Sequence, residues 1–218
     1  MLHRHYQRVS AMFRTLFTAF LALLVPFCAL AATFGPTEQL NKGDVLRGRF
    51  VQEHYIKEGT LPVRSEGHFL IAPPYGVIWA IERPLPLTVT ATKDGALQSI
   101  GNVPLLRQSP AQLPYLSHVT TMLSNALGGN LKALEPDFIM RNGGTAKQWR
   151  VKLTPRSQKA MNFPFKSITA KGSRFVEQAE LIRPSGFSDV FTFSSQAITS
   201  DVPSEAEMAL FAAVTKEK

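Results

Sequence analysis

The sequence predicts a mainly β (α+β) domain: an antiparallel sheet of roughly nine to eleven short strands, bent like a barrel but left unclosed, with short helices against it. Three observations carry this. Apolar and polar residues alternate with period two along most of the chain, turn-forming residues recur every eight to twelve positions, and one stretch in mid-series switches to a helical period. A barrel closed on its own side chains has no use for an amphipathic helix in mid-series. A bent, partly open sheet can set one over its concave face.

Along residues 45–56, Leu46, Gly48, Phe50, Gln52 and His54 alternate with Val45, Arg47, Arg49, Val51 and Glu53, as in a half-buried strand. Glu66–Ala72 and Val77–Glu82 follow, joined by Pro73-Pro74-Tyr75-Gly76. Leu87, Val89 and Ala91 alternate with threonines up to Lys93-Asp94-Gly95, a hairpin signal, and Leu97–Ile100 is the returning strand. Residues 101–116 hold three prolines and read as loop. From Ser117 the apolar spacing is helical, through Val119, Met122, Leu123, Ala126 and Leu127, and Gly128-Gly129-Asn130 ends the helix. Strands resume at Phe138–Met140, with a turn at Asn142-Gly143-Gly144, and at Trp149, Val151 and Leu153, stopped by Pro155. Phe165–Ala170, Phe175–Ile182 and Phe187–Ser194 are three more, with turns at Lys171-Gly172 and Pro184-Ser185-Gly186. A short helix over Glu205–Val214, capped by Ser204, closes the chain.

The 218 residues make one domain preceded by an export signal. Arg4, Arg8 and Arg14 precede an apolar run from Leu16 to Leu30, which exits through Ala29-Leu30-Ala31. That pattern marks residues 1–31 as a cleavable secretory signal, with 32–218 as the mature domain in the periplasm; an uncleaved N-terminal anchor is the alternative, since Phe13, Leu16 and Phe17 lengthen the apolar stretch. Val25-Pro26-Phe27 before Cys28 lacks the small residues of a lipoprotein signal. Cleavage removes the single cysteine, so no disulfide framework or multi-cysteine zinc site remains. The net charge of +8 owes three of its arginines to that segment, and the other basic residues are dispersed. Nucleic-acid motifs are missing, so a nucleic-acid partner is not expected.

Catalytic motifs are missing as well. His54, His68 and His118 have no metal-ligand spacing to one another. Gly186-Phe187-Ser188-Asp189-Val190 lacks the second glycine of a nucleophile elbow, and Asn142-Gly143-Gly144 has no Lys-Ser/Thr after it. The expectation is therefore a protein that is not an enzyme and takes no cofactor or metal. What remains is apolar surface: Val77, Trp79 and Ile81 share one strand face, and Trp149, Val151 and Leu153 repeat the pattern. Such faces pack a core, and in a curved sheet roofed by a helix they also hold a hydrophobic ligand.

The order of several short motifs resembles the periplasmic outer-membrane lipoprotein carriers, the LolA-like family. Leu46-Arg47-Gly48-Arg49-Phe50-Val51-Gln52 precedes Ser65-Glu66-Gly67-His68-Phe69 and Pro74-Tyr75-Gly76-Val77-Ile78-Trp79. Then come Trp149-Arg150-Val151-Lys152-Leu153-Thr154-Pro155 and Ile168-Thr169-Ala170-Lys171-Gly172, so that the elements cover most of residues 45–195. The resemblance implies an unclosed barrel of about eleven strands with a helical lid. It also implies a cavity for the acyl chains of a lipoprotein passed from an inner-membrane transporter to an outer-membrane acceptor, with no covalent step and no cofactor. Phe50 and Trp79 fall on matching motif positions as cavity lining. Periodicity adds Leu46, Phe69, Ile71, Val77 and Ile81 on that side, and Val89, Trp149, Val151 and Leu153 on the other. Val119, Met122, Leu123, Ala126 and Leu127 form the underside of the lid, Met122 adapting to variable cargo.

The chain departs from the family at one point. The family places an arginine, which hydrogen-bonds the lid shut, just before the proline that closes the second strand. Here Pro73 precedes Pro74. Either another group closes the lid, or the cargo differs: a pigment, a glycolipid or another acylated molecule. A monomeric carrier is the leading expectation; a lipid- or lipoprotein-sensing module that signals to a membrane partner is the alternative.

Overall fold

The structure is a computed structural model, and it describes residues 35–56, 59–112, 116–145, 147–157 and 165–215. The expected export signal lies outside the described residues. Among those residues, eleven strands and two α-helices follow one another: β1 (Val45–Tyr55), β2 (Val63–Ala72), β3 (Gly76–Arg83), β4 (Leu87–Thr92), β5 (Gly95–Ile100), β6 (Val103–Gln108), α1 (Leu116–Leu127), β7 (Phe138–Gly144), β8 (Trp149–Pro155), β9 (Ser167–Gly172), β10 (Val176–Ile182), β11 (Ser188–Thr199) and α2 (Glu205–Ala213). A 3₁₀ turn, Leu131–Leu134, follows α1.

All eleven strands form one antiparallel sheet in the order β6-β5-β4-β3-β2-β1-β11-β10-β9-β8-β7. β6 and β7 are its two edges, so the sheet is unclosed, as the sequence predicts. Two runs of hairpins meet where β1 pairs with β11. Register shifts at Arg47/Arg49, Glu66/Gly67, Gln98/Ser99 and Val176/Gln178 add local twist and bend the sheet. Opposite Gly48 the extra residue of β11 includes Ser195, which takes the left-handed conformation at φ 51°. A Cβ on Gly48 would come within 2.6 Å of the Phe69 ring, so glycine there lets the ring lie across the strand.

The strands match their sequence expectations with three corrections. Val103–Gln108 forms β6 although residues 101–116 read as loop; Pro104 is tolerated because β6 is an edge. Asn142-Gly143-Gly144 is paired strand rather than turn, with Gly144 opposite Trp149, and just beyond it the Thr145 N–H donates to the Gln148 carbonyl. Lys171-Gly172 likewise closes β9, and the turn follows it.

The two faces of the sheet are built differently. One face gathers Leu46, Phe50, Phe69, Ile71, Val77, Trp149, Val151, Leu153 and Phe193 into the main core, joined by Met122 and Leu127 of α1 and by Leu131 and Leu134. The opposite parity of β1–β3 presents Val45, Leu70, Ala72 and Ile78, which pack against Phe211 of α2. Among the described residues, α1 and the 3₁₀ turn are the helical elements packed on the main-core face. The second helix covers the other face.

Candidate functional site

Small side chains leave a gap beneath α1. Ala170 of β9 and Ala179 of β10 are direct cross-strand neighbours in the sheet floor, and the adjacent pair Ile168 and Leu181 sits one step along. The bulge at Val176/Gln178 lets Val176 join Ala179 on this side, which strict alternation would forbid. Opposite them stand Met122, Leu123, Ala126 and Leu127, with Leu131 and Leu134 at one flank and Trp79, Phe191 and Phe193 at the other. The partly open pocket measures about 230 Å³, and Gln52 is the one polar residue among the described residues that line it.

Trp79 forms the aromatic wall. Its ring stacks on Phe50 at 4.0 Å between centroids and on Phe69 at 5.8 Å, and meets Phe191 edge-on at 5.8 Å. Five rings thus lock together around one side of the cavity, counting Phe193 against Trp79 at 6.4 Å.

Of the residues expected to line the cavity, Trp79 and Leu153 do so, with Met122, Leu123, Ala126 and Leu127 from the expected lid. Leu46, Phe50, Phe69, Ile71, Val77, Trp149 and Val151 are buried in the surrounding core, outside the cavity wall, and Ile81 packs against that core. Trp149 donates its indole N–H to the Ser173 carbonyl at 2.8 Å. Val89 sits beside Trp79 on β4, half-buried, and Val119 is half-buried on α1; neither reaches the cavity. The floor residues of β9–β11 were not foreseen. Phe191 and Phe193, two apart, carry the signal in the sequence, whereas the bulge hides Val176 and Ala179.

A charged cluster adjoins the Gln52 side. Asp189, 1% exposed, accepts at Oδ1 from the Gln52 side-chain N–H at 3.0 Å, with His54 Nδ1 at 2.8 Å; at Oδ2 it accepts from Arg183 Nε at 2.9 Å and Nη2 at 2.8 Å. Burial pushes the Asp189 carboxyl up, but the hydrogen bonds from His54, Arg183 and Gln52 outweigh it and hold it below the usual carboxylate range. The carboxylate is therefore ionised at neutral pH, and facing it His54 carries its proton on Nδ1. Among the described residues no three His, Cys, Asp or Glu groups could hold a metal ion, and no helix is long and apolar enough to cross a membrane.

The Pro73-Pro74 turn borders a second, polar groove of about 390 Å³ beside α1, facing Thr120, Thr121 and Ser124. At the other end of α1, His118 Nε2 lies 3.2 Å from the Asp137 carboxylate, a charge pair only while the imidazole is protonated.

No protein-family model and no curated protein matches the chain. Among solved structures it is similar to a LolA superfamily protein from Nitrosomonas europaea, at 9% identity and a TM-score of 0.42 over 77% of this chain and 91% of that one. It is also similar to a chain of the MucA/MucB complex of Pseudomonas aeruginosa, at 15% identity and a TM-score of 0.43, covering 77% of this chain and 56% of that one. A DUF1329 family protein from Desulfovibrio piger follows at 10% identity and a TM-score of 0.40, with 80% and 92% covered. At these overlaps the functional reading rests on the chain's own residues.

Proposed function

We propose that the protein is a non-enzymatic periplasmic carrier whose cavity beneath α1 takes the acyl chain of a lipoprotein or another acylated molecule and shields it from water. The observation that carries this reading is a partly open apolar pocket lined by Trp79, Phe191 and Phe193, by Met122, Leu123, Ala126 and Leu127 of α1, and by the paired Ala170 and Ala179. Each methylene moved out of water is worth about 0.8 kcal/mol, so a 16-carbon chain exposed to water costs on the order of 12 kcal/mol. A carrier offsets most of that cost with apolar wall.

The cavity of about 230 Å³ falls short of the roughly 300–1,000 Å³ of ligand-filled sites, so α1 lifts to admit a chain. That makes α1 the lid, with Met122 and Leu123 following the cargo. The sequence features that resemble lipoprotein carriers support transfer between an inner-membrane donor and an outer-membrane acceptor. The basic head, apolar run and Ala29-Leu30-Ala31 exit support cleavage after Ala31; the carrier works as a monomer, with the remaining sequence-derived lining (Leu46 to Val151) meeting cargo once the lid opens.

Calorimetric titration of delipidated protein with 1-monodecanoylglycerol tests the reading. Wild-type protein binds it. Ala179→Phe, which fills the floor without adding charge, abolishes binding while the sheet's circular dichroism is kept. Trp79→Asp also abolishes it. Wild-type protein that takes up no ligand, or Ala179→Phe that binds as well as wild type, overturns the proposal.

A further inference from the structure

Gln52 is the one polar side chain in an otherwise apolar wall. Gln52 is half-buried, and its carboxamide has two N–H donors and a carbonyl acceptor that a ligand seated there must pair or strip of water. One N–H goes to Asp189 Oδ1 at 3.0 Å. A carboxylate only accepts, so the amino end of the amide is fixed towards Asp189, which Arg183 and His54 hold in turn. Among the described residues the amide makes no other side-chain hydrogen bond. Its second N–H and its carbonyl are held in place by a rigid cluster at the border of the cavity.

Resting on the carrier reading above, we propose that Gln52 is the polar anchor of the cavity and that the cargo is a neutral acyl ester or amide whose linkage carbonyl accepts the remaining N–H. A saturated hydrocarbon seated there would displace water from that half-buried donor and offer no acceptor in return. A free fatty acid is disfavoured for a different reason. Its carboxylate would meet the Asp189 charge, and among the described residues no basic side chain lines the cavity to offset it. A neutral carbonyl satisfies the amide without adding charge, and the acyl tail then runs from Gln52 along Trp79 and Phe191 towards the alanine floor.

The test compares 1-monodecanoylglycerol with its ether 1-O-decylglycerol, which differs by the carbonyl, and with sodium decanoate at pH 7.5, by calorimetry on wild type and Gln52→Leu. One hydrogen bond to a positioned donor is worth about tenfold in affinity. Wild type therefore binds the ester about tenfold more tightly than the ether or decanoate. Gln52→Leu binds the ether as wild type does and loses the preference; Gln52→Met serves if the leucine variant fails to fold. Equal binding of ester and ether by wild type, a preference that survives in the variant, or decanoate bound as tightly as the ester overturns the anchor and leaves the carrier reading standing. No binding of any of the three by wild type overturns both.

Discussion

Two helices of similar length cover the two faces of one sheet, and they are attached in opposite ways. α2 is fastened at several points. Ser204 and Glu207 form a reciprocal capping box, and Glu205 and Glu207 favour the positive end of the helix dipole. Arg47 grips Glu207 through two hydrogen bonds of 2.9 and 2.7 Å, and Phe211 is buried in the outer-face core, its ring stacked on Tyr75. By contrast α1, Leu-Ser-His-Val-Thr-Thr-Met-Leu-Ser-Asn-Ala-Leu, holds no Asp, Glu, Lys or Arg. It packs Met122 and Leu127 into the main core beside the pocket, sets His118 3.2 Å from Asp137, and ends at Gly129 in the left-handed conformation, φ 86°, where residues without a Cβ are favoured. The contrast teaches which helix is structural. A helix bolted by charge and aromatic packing is part of the frame, whereas the carrier proposal needs α1, seated by apolar packing beside a pocket, to be the helix that moves.

The largest effect expected from this contrast is on the outer face. Phe211→Ala removes a buried ring and costs about 3–5 kcal/mol by denaturant unfolding, while the affinity for 1-monodecanoylglycerol is unchanged. On the inner face Met122→Ala costs less, about 2 kcal/mol, because Met122 already borders empty space. An inner loss as large as the outer one breaks the comparison.

Glu207→Gln sharpens it through pH. Beside the Arg47 guanidinium, which contributes most, and despite partial burial, the Glu207 carboxyl is held at about 2 against an ordinary 4.5. A depressed carboxylate adds stability above the unfolded value that is lost as pH falls from about 5 towards 2. Arg47 is a third exposed, so the pair is worth about 1–2 kcal/mol. The variant is therefore less stable than wild type at pH 7, and the two converge near pH 2. A gap that persists at pH 2 assigns the loss to packing instead. The smallest effect is dynamic. Amide hydrogen exchange is faster in α1 than in α2, and bound acylglycerol slows α1 several-fold without moving α2; equal slowing of both contradicts a movable α1.

Most of the frame was legible because alternation is imposed by burial. A strand with one face in the core must hide every second residue, and β8 does so without interruption around Trp149, whereas β1 and β3 lie between the two cores and bury residues on both faces. Both helices were legible too, from apolar spacing in α1 and from Ser204 ahead of α2. Edge strand β6 was not, since Pro104 ordinarily breaks a strand and only the sheet order reveals an edge. The site was less legible than the frame. Large inward residues attract attention, yet Phe50, Phe69 and Trp149 fill space, and the cavity exists where Ala170 and Ala179 do not. The Asp189 cluster depends on β1 pairing with β11, a contact between opposite ends of the domain that no local pattern carries.

The most direct test is a crystal structure of the mature domain grown with a monoacylglycerol bearing bromine at the end of its chain. The account predicts an anomalous peak beneath α1, between Met122 and the Ala170–Ala179 floor, with α1 displaced outward from its seat. A bromine found in the polar groove by the Pro73-Pro74 turn, or an α1 that keeps its position over an unfilled cavity, contradicts it.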